Sequence, residues 1–285
     1  MSDPTATLLV GCRDRTGLVA SLSNFVFANG GNILDADQHA EHDTGMFFMR
    51  LVWSIAAFRL DRAGISAALD EMARRFELQW TLTYSDRRPK VAVFVSTTAH
   101  CLYDLLLRAQ LGELRGDIDI IVSNHGTLES VARHFDVPFV SIPVDAATKP
   151  QAEAEQRRLL SERGIELVVL ARYMQVLSPA FTTEWHGRMI NIHHSFLPAF
   201  VGAKPYHQAR ARGVKIIGAT AHYVTEELDQ GPIIEQDVAR VSHRDEVDEL
   251  VAKGRDLERQ VLSRAVRLHL DRRVLISGKR TIVFG

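Results

Sequence analysis

The segment Asn191-Ile192-His193-His194-Ser195-Phe196-Leu197-Pro198 holds the residues with the most chemical capacity in the chain. Asn191 and His193 stand two apart at the end of an apolar run, Met189 to Ile192. In an extended strand, residues two apart project to the same side. An unpaired buried polar group costs about 1–3 kcal/mol, so polar residues on one side of such a strand need partners. A carboxamide beside an imidazole suits a carbonyl that must be polarised. The amide N–H can meet a developing oxyanion while an imidazolium adds charge or delivers a proton. By pattern alone the same residues also read as a hydrogen-bonded strand terminus with no reactivity.

Such a site needs a carboxylate. The stretch Thr225 to Gly231 supplies Glu226, Glu227 and Asp229 between two expected strands. Asp229 precedes Gln230-Gly231-Pro232, a turn that would hold its carboxylate in place, whereas Glu226 and Glu227 also read as a solvated loop. Six of the 12 histidines (His186, His193, His194, His207, His222 and His243) fall within residues 186–243. Histidine is the side chain best suited to proton traffic near neutral pH. His193, His194 and His222 are metal-ligand types, but adjacent residues of a strand point to opposite faces, so no metal is expected. No Gly-x-Ser-x-Gly elbow surrounds Ser195, which argues against a serine nucleophile.

Two domains are expected to position these residues in a chain of 285 residues. Residues 1–84 read as a small unit of order βαββαβ, the ferredoxin-like arrangement. Leu18, Leu22, Phe25 and Val26 recur at helical spacing, and Asn29-Gly30-Gly31-Asn32 ends that helix. Phe47, Met49, Leu51 and Trp53 alternate along a strand. A polar linker is placed at 85–90, Ser85-Asp86-Arg87-Arg88-Pro89-Lys90. Residues 91–285 then read as the larger domain. Val91 to Val95, Ile118 to Val122, Phe139 to Ile142 and Leu167 to Ala171 are continuously apolar and separated by helical stretches. That is the mark of a buried, mostly parallel, Rossmann-like α/β sheet. Ile216 to Val224 and Ile233 to Val241 read as later strands, followed by a helix near Arg244 to Leu268 and a terminal hairpin.

Composition narrows the function. The chain has 34 Lys+Arg against 35 Asp+Glu, a formal net charge of −1, which leaves no electrostatic footprint for nucleic acid. No apolar run approaches the length that crosses a bilayer, and the first residues lack the basic-then-apolar order of a secretion signal. Two cysteines, Cys12 and Cys101, are too few for a disulfide framework or a cysteine-rich zinc site. A cytoplasmic, metal-free protein without membrane or nucleic-acid partners is expected.

Several motifs resemble the formyl-folate transferase and hydrolase family: Asn191-Ile192-His193, then Ser195 and Leu197-Pro198, then Gly218 to Val224, then Leu228-Asp229-Gln230-Gly231-Pro232. The likeness extends over about residues 90–285. The first unit resembles an ACT domain, an amino-acid-sensing module, through Asp14-x-x-Gly17 and its element order. Ser123-Asn124-His125, Ala171 to Met174 and Lys204-Pro205-Tyr206-His207 resemble the hydrolytic branch of the family. That resemblance implies hydrolysis of 10-formyltetrahydrofolate to tetrahydrofolate and formate, with the folate as substrate and no separate cofactor. It implies a place in purine synthesis and one-carbon balance.

Carried over, Asn191 would hydrogen-bond the formyl oxygen, His193 would stabilise the oxyanion and serve as acid, and Asp229 would orient His193 or manage protons through water. The pterin would lie against the backbone of Met174, Gln175, Val176 and Leu177 and against the loop with Glu227 and Leu228, with His222 in support. The side chains at 174, 176 and 177 also read as ordinary core. Asp14, Gly17 and Asn32 would cradle an amino-acid effector, glycine or methionine; the alternative is that Gly17 and Asn32 shape turns and Asp14 caps a helix. ACT units pair through their sheets, which implies a homo-oligomer. The alternative activity is formyl transfer to an amine such as glycinamide ribonucleotide. Relatives with that activity cradle the acceptor's phosphate in a glycine-rich turn, whereas Ser96-Thr97-Thr98-Ala99-His100-Cys101 has no glycine here.

Overall fold

The computed structural model describes residues 3–198 and 205–285. Lys204, one of the residues that carries the family likeness, lies outside the described residues. The chain divides into two compact units.

The first unit contains β1 (Thr5–Arg13), α1 (Leu18–Ala28), β2 (Asn32–Glu41), β3 (Met46–Ser54), α2 (Arg62–Phe76) and β4 (Gln79–Tyr84). These strands form an antiparallel sheet of order β2-β3-β1-β4, the expected βαββαβ fold. Period-two alternation sends Phe47, Met49, Leu51 and Trp53 into one core with Leu18 and Leu22 of α1 and Ile65 and Leu69 of α2. The opposite face of the sheet, through Leu9 and Phe48, packs on Leu275, Ile282 and Phe284 from the chain end. This corrects the expected boundary. Residues 272–277 and 282–285 belong with the first unit rather than the second, because Phe284 fills an apolar face that would otherwise meet water.

The second unit spans 89–271 and 278–281. It carries β5 (Lys90–Val95), α3 (His100–Gln110), β6 (Asp117–Ser123), α4 (Glu129–His134), β7 (Phe139–Ser141), α5 (Lys149–Glu162), β8 (Leu167–Leu170), α6 (Pro179–Glu184), β9 (Met189–His193), α7 (Pro205–Arg212), β10 (Ile216–Tyr223), β11 (Ile233–Arg240) and α8 (Val247–Leu270). A last hairpin, β12 (Val274–Ser277) with β13 (Arg280–Val283), closes the chain. Lys90 opens β5 rather than ending the linker, since it joins the parallel ladder opposite Asp117.

The sheet order is β11-β10-β9-β8-β5-β6-β7. β5 through β9 pair in parallel, and β10 and β11 add antiparallel to the β9 edge. Val91 to Val95 are buried on both faces, as a central parallel strand requires, and the three valines and Phe94 each contribute about 1.5–3 kcal/mol by leaving water. From β5 the chain first builds outward through β6 and β7, then returns to place β8 and β9 on the other side of β5. The crevice beyond the carboxyl ends of strands at such a switch is where open α/β sheets bind ligands. Ser96, Arg172 and His194 all follow strand ends there.

Candidate active site

Four side chains meet at the end of β9. Asn191 and His193 project from the same side of that strand. His222 faces Asn191 from β10, its direct cross-strand partner. Asp229 arrives from the β10–β11 loop in a left-handed conformation, φ +57°. Its carboxylate spans two rings, with Oδ2 3.2 Å from His193 Nδ1 and Oδ1 3.6 Å from His222 Nε2.

Gly231 makes this loop path available. A Cβ there would come within 1.7 Å of the Tyr223 carbonyl oxygen, so no other residue fits without moving backbone. That same carbonyl accepts a hydrogen bond from His222 Nδ1 at 2.9 Å. Carbonyls only accept, so Nδ1 carries a proton and Nε2 of the neutral ring holds the lone pair. Asn191 Nδ2 lies 3.3 Å from Nε2 and donates to it. An amide nitrogen has two N–H groups, so one remains for a ligand.

The tautomer of His193 follows by the same logic. Nδ1–H points at Asp229, which leaves Nε2 for chemistry. Nε2 is buried and has no hydrogen-bond partner among the described residues. A buried polar atom without a partner is costly in a resting protein and expected where a substrate supplies the missing contact. For the Asp229 carboxyl, burial raises the pKa, but the hydrogen bond from His193 outweighs it and holds the group well below the ordinary carboxylate range. Asp229 is therefore an anion at working pH. Asn191 offers a free N–H, His193 a free Nε2, and Asp229 the charge that balances a cationic imidazole.

The other sequence-expected residues occupy two loops and the first unit. Met174, Gln175, Val176 and Leu177 follow β8. Met174 and Val176 are 60% and 57% exposed, so they are not core as their apolar character suggested; Leu177 alone packs on the interior. The Met174 backbone N–H donates to Ser96 Oγ at 2.9 Å. Glu227 and Leu228 are exposed in the loop that delivers Asp229. Ser195 is buried, and its carbonyl accepts from Thr220.

Asp14, Gly17 and Asn32 are exposed in the first unit. Asp14 does not cap α1. Gly17 is the N-cap, with φ +93° and no side-chain capping bond, because its left-handed backbone turns the chain without help.

One expectation about metals is revised in its reasoning. His193 and His194 do not face apart: their rings stack at 5.0 Å and 19°, because β9 stops at His193 and the chain bends. His194 Nδ1 is nevertheless occupied, 2.7 Å from Arg172 Nη1. His100, Cys101 and Glu258 bring three ligand-type atoms within 4.8 Å of one another. Yet Glu258 is already bonded to His100 at 2.8 Å and lies 3.5 Å from Arg172, and burial pushes the Cys101 thiol well up. This donor set fits an ion-pair network rather than a metal.

Arg172, Glu258 and His100 were not singled out for any role from sequence. A signal existed for Glu258, which stands at helical spacing with Val261, Leu262 and Ala265 on the buried face of α8.

Comparison with known proteins places this geometry. A formyl transferase profile matches residues 89–266 and an ACT domain profile residues 6–72. A formyltetrahydrofolate deformylase from Synechocystis sp. is 51% identical over 285 residues, covering all of both chains. The chain belongs to the formyltetrahydrofolate deformylase family. The crystal structure of a family member from Pseudomonas syringae pv. tomato has a TM-score of 0.98 at 47% identity, covering 100% of this chain and 96% of that one. A glycinamide ribonucleotide transformylase from Symbiobacterium toebii is more distant, with a TM-score of 0.65 at 30% identity over 70% of this chain and 95% of that one. Family membership thus includes both units, whereas the transformylase likeness covers a part. No helix among the described residues is long and apolar enough to cross a membrane.

Proposed function

We propose that the chain hydrolyses 10-formyltetrahydrofolate to tetrahydrofolate and formate at the Asn191–His193–Asp229 site. The observation that carries this reading is the pair of unspent groups, the Asn191 N–H and His193 Nε2, backed by an anionic Asp229. Water adds to the formyl carbon, and its proton passes to the His193–Asp229 pair. The resulting tetrahedral oxyanion accepts the free N–H of Asn191. Collapse breaks the bond from carbon to folate nitrogen, His193 returns the proton to that nitrogen, and formate leaves. The pterin rests on the exposed Met174–Leu177 segment and the Glu227–Leu228 loop, with His222 holding the Asn191 amide. No cofactor beyond the substrate is needed.

Transfer to glycinamide ribonucleotide is the second reading, and the turn after β5 argues against it. Ser96 Oγ donates to Asn124 Oδ1 at 2.7 Å and accepts from Met174 N–H, so its one donor is not available to a phosphate. His100, the first residue of α3, is bonded to the buried carboxylate of Glu258. A phosphate there would meet a resident anion. The test is formate and tetrahydrofolate production with no amine present. Steady release is expected, and release strictly dependent on glycinamide ribonucleotide would reverse the choice.

The role in purine synthesis and one-carbon balance, homo-oligomerisation, and control by glycine or methionine at Asp14, Gly17 and Asn32 belong to the same proposal. Support for a cytoplasmic setting comes from Cys12 and Cys101, which are buried free thiols. Calorimetry of the full chain against both amino acids checks the effector: one should bind, with affinity lost on Asp14→Ala, and heat from neither would remove the idea.

A further inference from the structure

Beside His193 lies a second set of buried polar groups that the reaction above does not use. Arg172 follows β8 in a left-handed conformation, φ +65°. Such backbone costs a side-chain-bearing residue on the order of 1 kcal/mol or more and costs glycine nothing. The guanidinium therefore has to return something for its place.

Its contacts are specific. Nη1 lies 2.7 Å from His194 Nδ1. A guanidinium only donates, so Nδ1 is bare and the ring proton sits on Nε2. Arg172 Nε is buried, has no hydrogen-bond partner among the described residues, and lies 3.5 Å from Glu258 Oε2. Glu258 is 2% exposed and also accepts from Tyr206 Oη at 3.1 Å. Gly254, one turn earlier in α8, clears the path for that phenol, since a Cβ there would come within 1.9 Å of Tyr206 Oη. A continuous line of contacts thus runs from Glu258 through Arg172 to His194, whose ring lies against the catalytic imidazole.

We infer that Arg172 and His194 are positioning residues for His193. The guanidinium locks His194 as a neutral ring stacked against His193, so that a single imidazole in the site carries charge during turnover. This rests on the hydrolytic reading for its kinetic consequence, not for the geometry.

The charges around His194 come from every side. Arg172 faces it from the segment after β8, His193 from β9, Asp229 from the β10–β11 loop and Glu258 from α8. Tyr206 of α7 lies with its ring centroid 6.4 Å away. Burial lowers the affinity of His194 for a second proton most, the Arg172 cation next and His193 after it, against the opposing pull of Glu258 and Asp229; the balance falls at about 4. Without Arg172 the two carboxylates pull with less opposition, and His194 charges at higher pH. A second imidazolium parallel to His193 would repel the charge that His193 must take up.

Arg172→Gln in the full chain tests this with two independent readings. By NMR, the His194 midpoint should rise by about 1–2 units. In the pH profile of kcat/KM, a new acid-side loss should appear, about tenfold per unit below that midpoint. Arg172→Lys keeps a cation and should hold both readings near those of the unmodified chain. Arg172→Asn, whose side chain tolerates left-handed backbone, should match Arg172→Gln should the latter fold poorly. Adding His194→Phe to Arg172→Gln should remove the acid-side loss, because phenylalanine stacks but does not titrate. An unmoved His194 midpoint, or rates scaled equally at every pH, would overturn the inference. Were the unmodified chain to release no formate, the NMR midpoint would still decide the Arg172–His194 pair, so the two failures are distinct.

Discussion

Asp229→Asn lowers kcat/KM by about 10²–10⁴-fold, the contribution expected of positioned proton chemistry, while the protein stays folded. Asparagine tolerates the left-handed backbone at this position and matches the carboxylate in shape. What it lacks is charge. In the unmodified chain Asp229 faces Nδ1 of His193 and Nε2 of His222, and its carboxyl is held low by the His193 hydrogen bond despite burial. The anion therefore fixes which nitrogen of His193 is free and balances the imidazolium when Nε2 takes a proton. An amide at 229 can present its NH2 group to Nδ1 and select the wrong tautomer, and it offers no charge in either orientation.

The same variant has a signature in stability. Because the folded-state pKa is below the ordinary carboxylate value of 3.8, the contribution of Asp229 to stability is fully present above that value. It is lost as the pH falls toward the folded-state value. Thermal unfolding of the unmodified chain should weaken through that acid window, and Asp229→Asn should weaken less. A variant that keeps a rate within tenfold of the original would contradict the assigned role.

Asn191→Ala should reduce kcat by about 10²–10³-fold with KM little changed, the pattern for losing a donor that meets charge only in the transition state. Its amide gives one N–H to His222 Nε2 at 3.3 Å and keeps one for the oxyanion. Losing the first contact leaves the His222 lone pair unpaired, a cost of about 1 kcal/mol readable in urea unfolding. That modest loss separates a catalytic defect from misfolding. A raised KM with kcat intact would mean that Asn191 binds substrate and transition state equally, contrary to the mechanism.

Much of this arrangement was legible in the chain. Asn191 and His193 could be paired because a strand repeats every two residues, and Gly231 marked the turn that delivers Asp229. Met174 and Val176 were less readable, since apolar character alone does not separate a core residue from one exposed at a ligand crevice. The stacking of His193 on His194 was misjudged because it depends on where β9 ends, the least determined feature of any strand. Arg172 and Glu258 lie 86 positions apart, and their meeting depends on how α8 packs on the sheet, which local pattern does not encode. The return of Phe284 to Leu9 and Phe48 is of the same kind, a contact across nearly the whole chain that follows from an uncovered apolar face.

The most direct measurement is a crystal structure of the full chain with a non-hydrolysable analogue of the formyl folate. The carbonyl oxygen of the analogue should lie within about 2.7–3.1 Å of Asn191 Nδ2, with its carbonyl carbon one water away from His193 Nε2 and Asp229 still on Nδ1. An analogue seated with that carbonyl away from these two nitrogens would contradict the account.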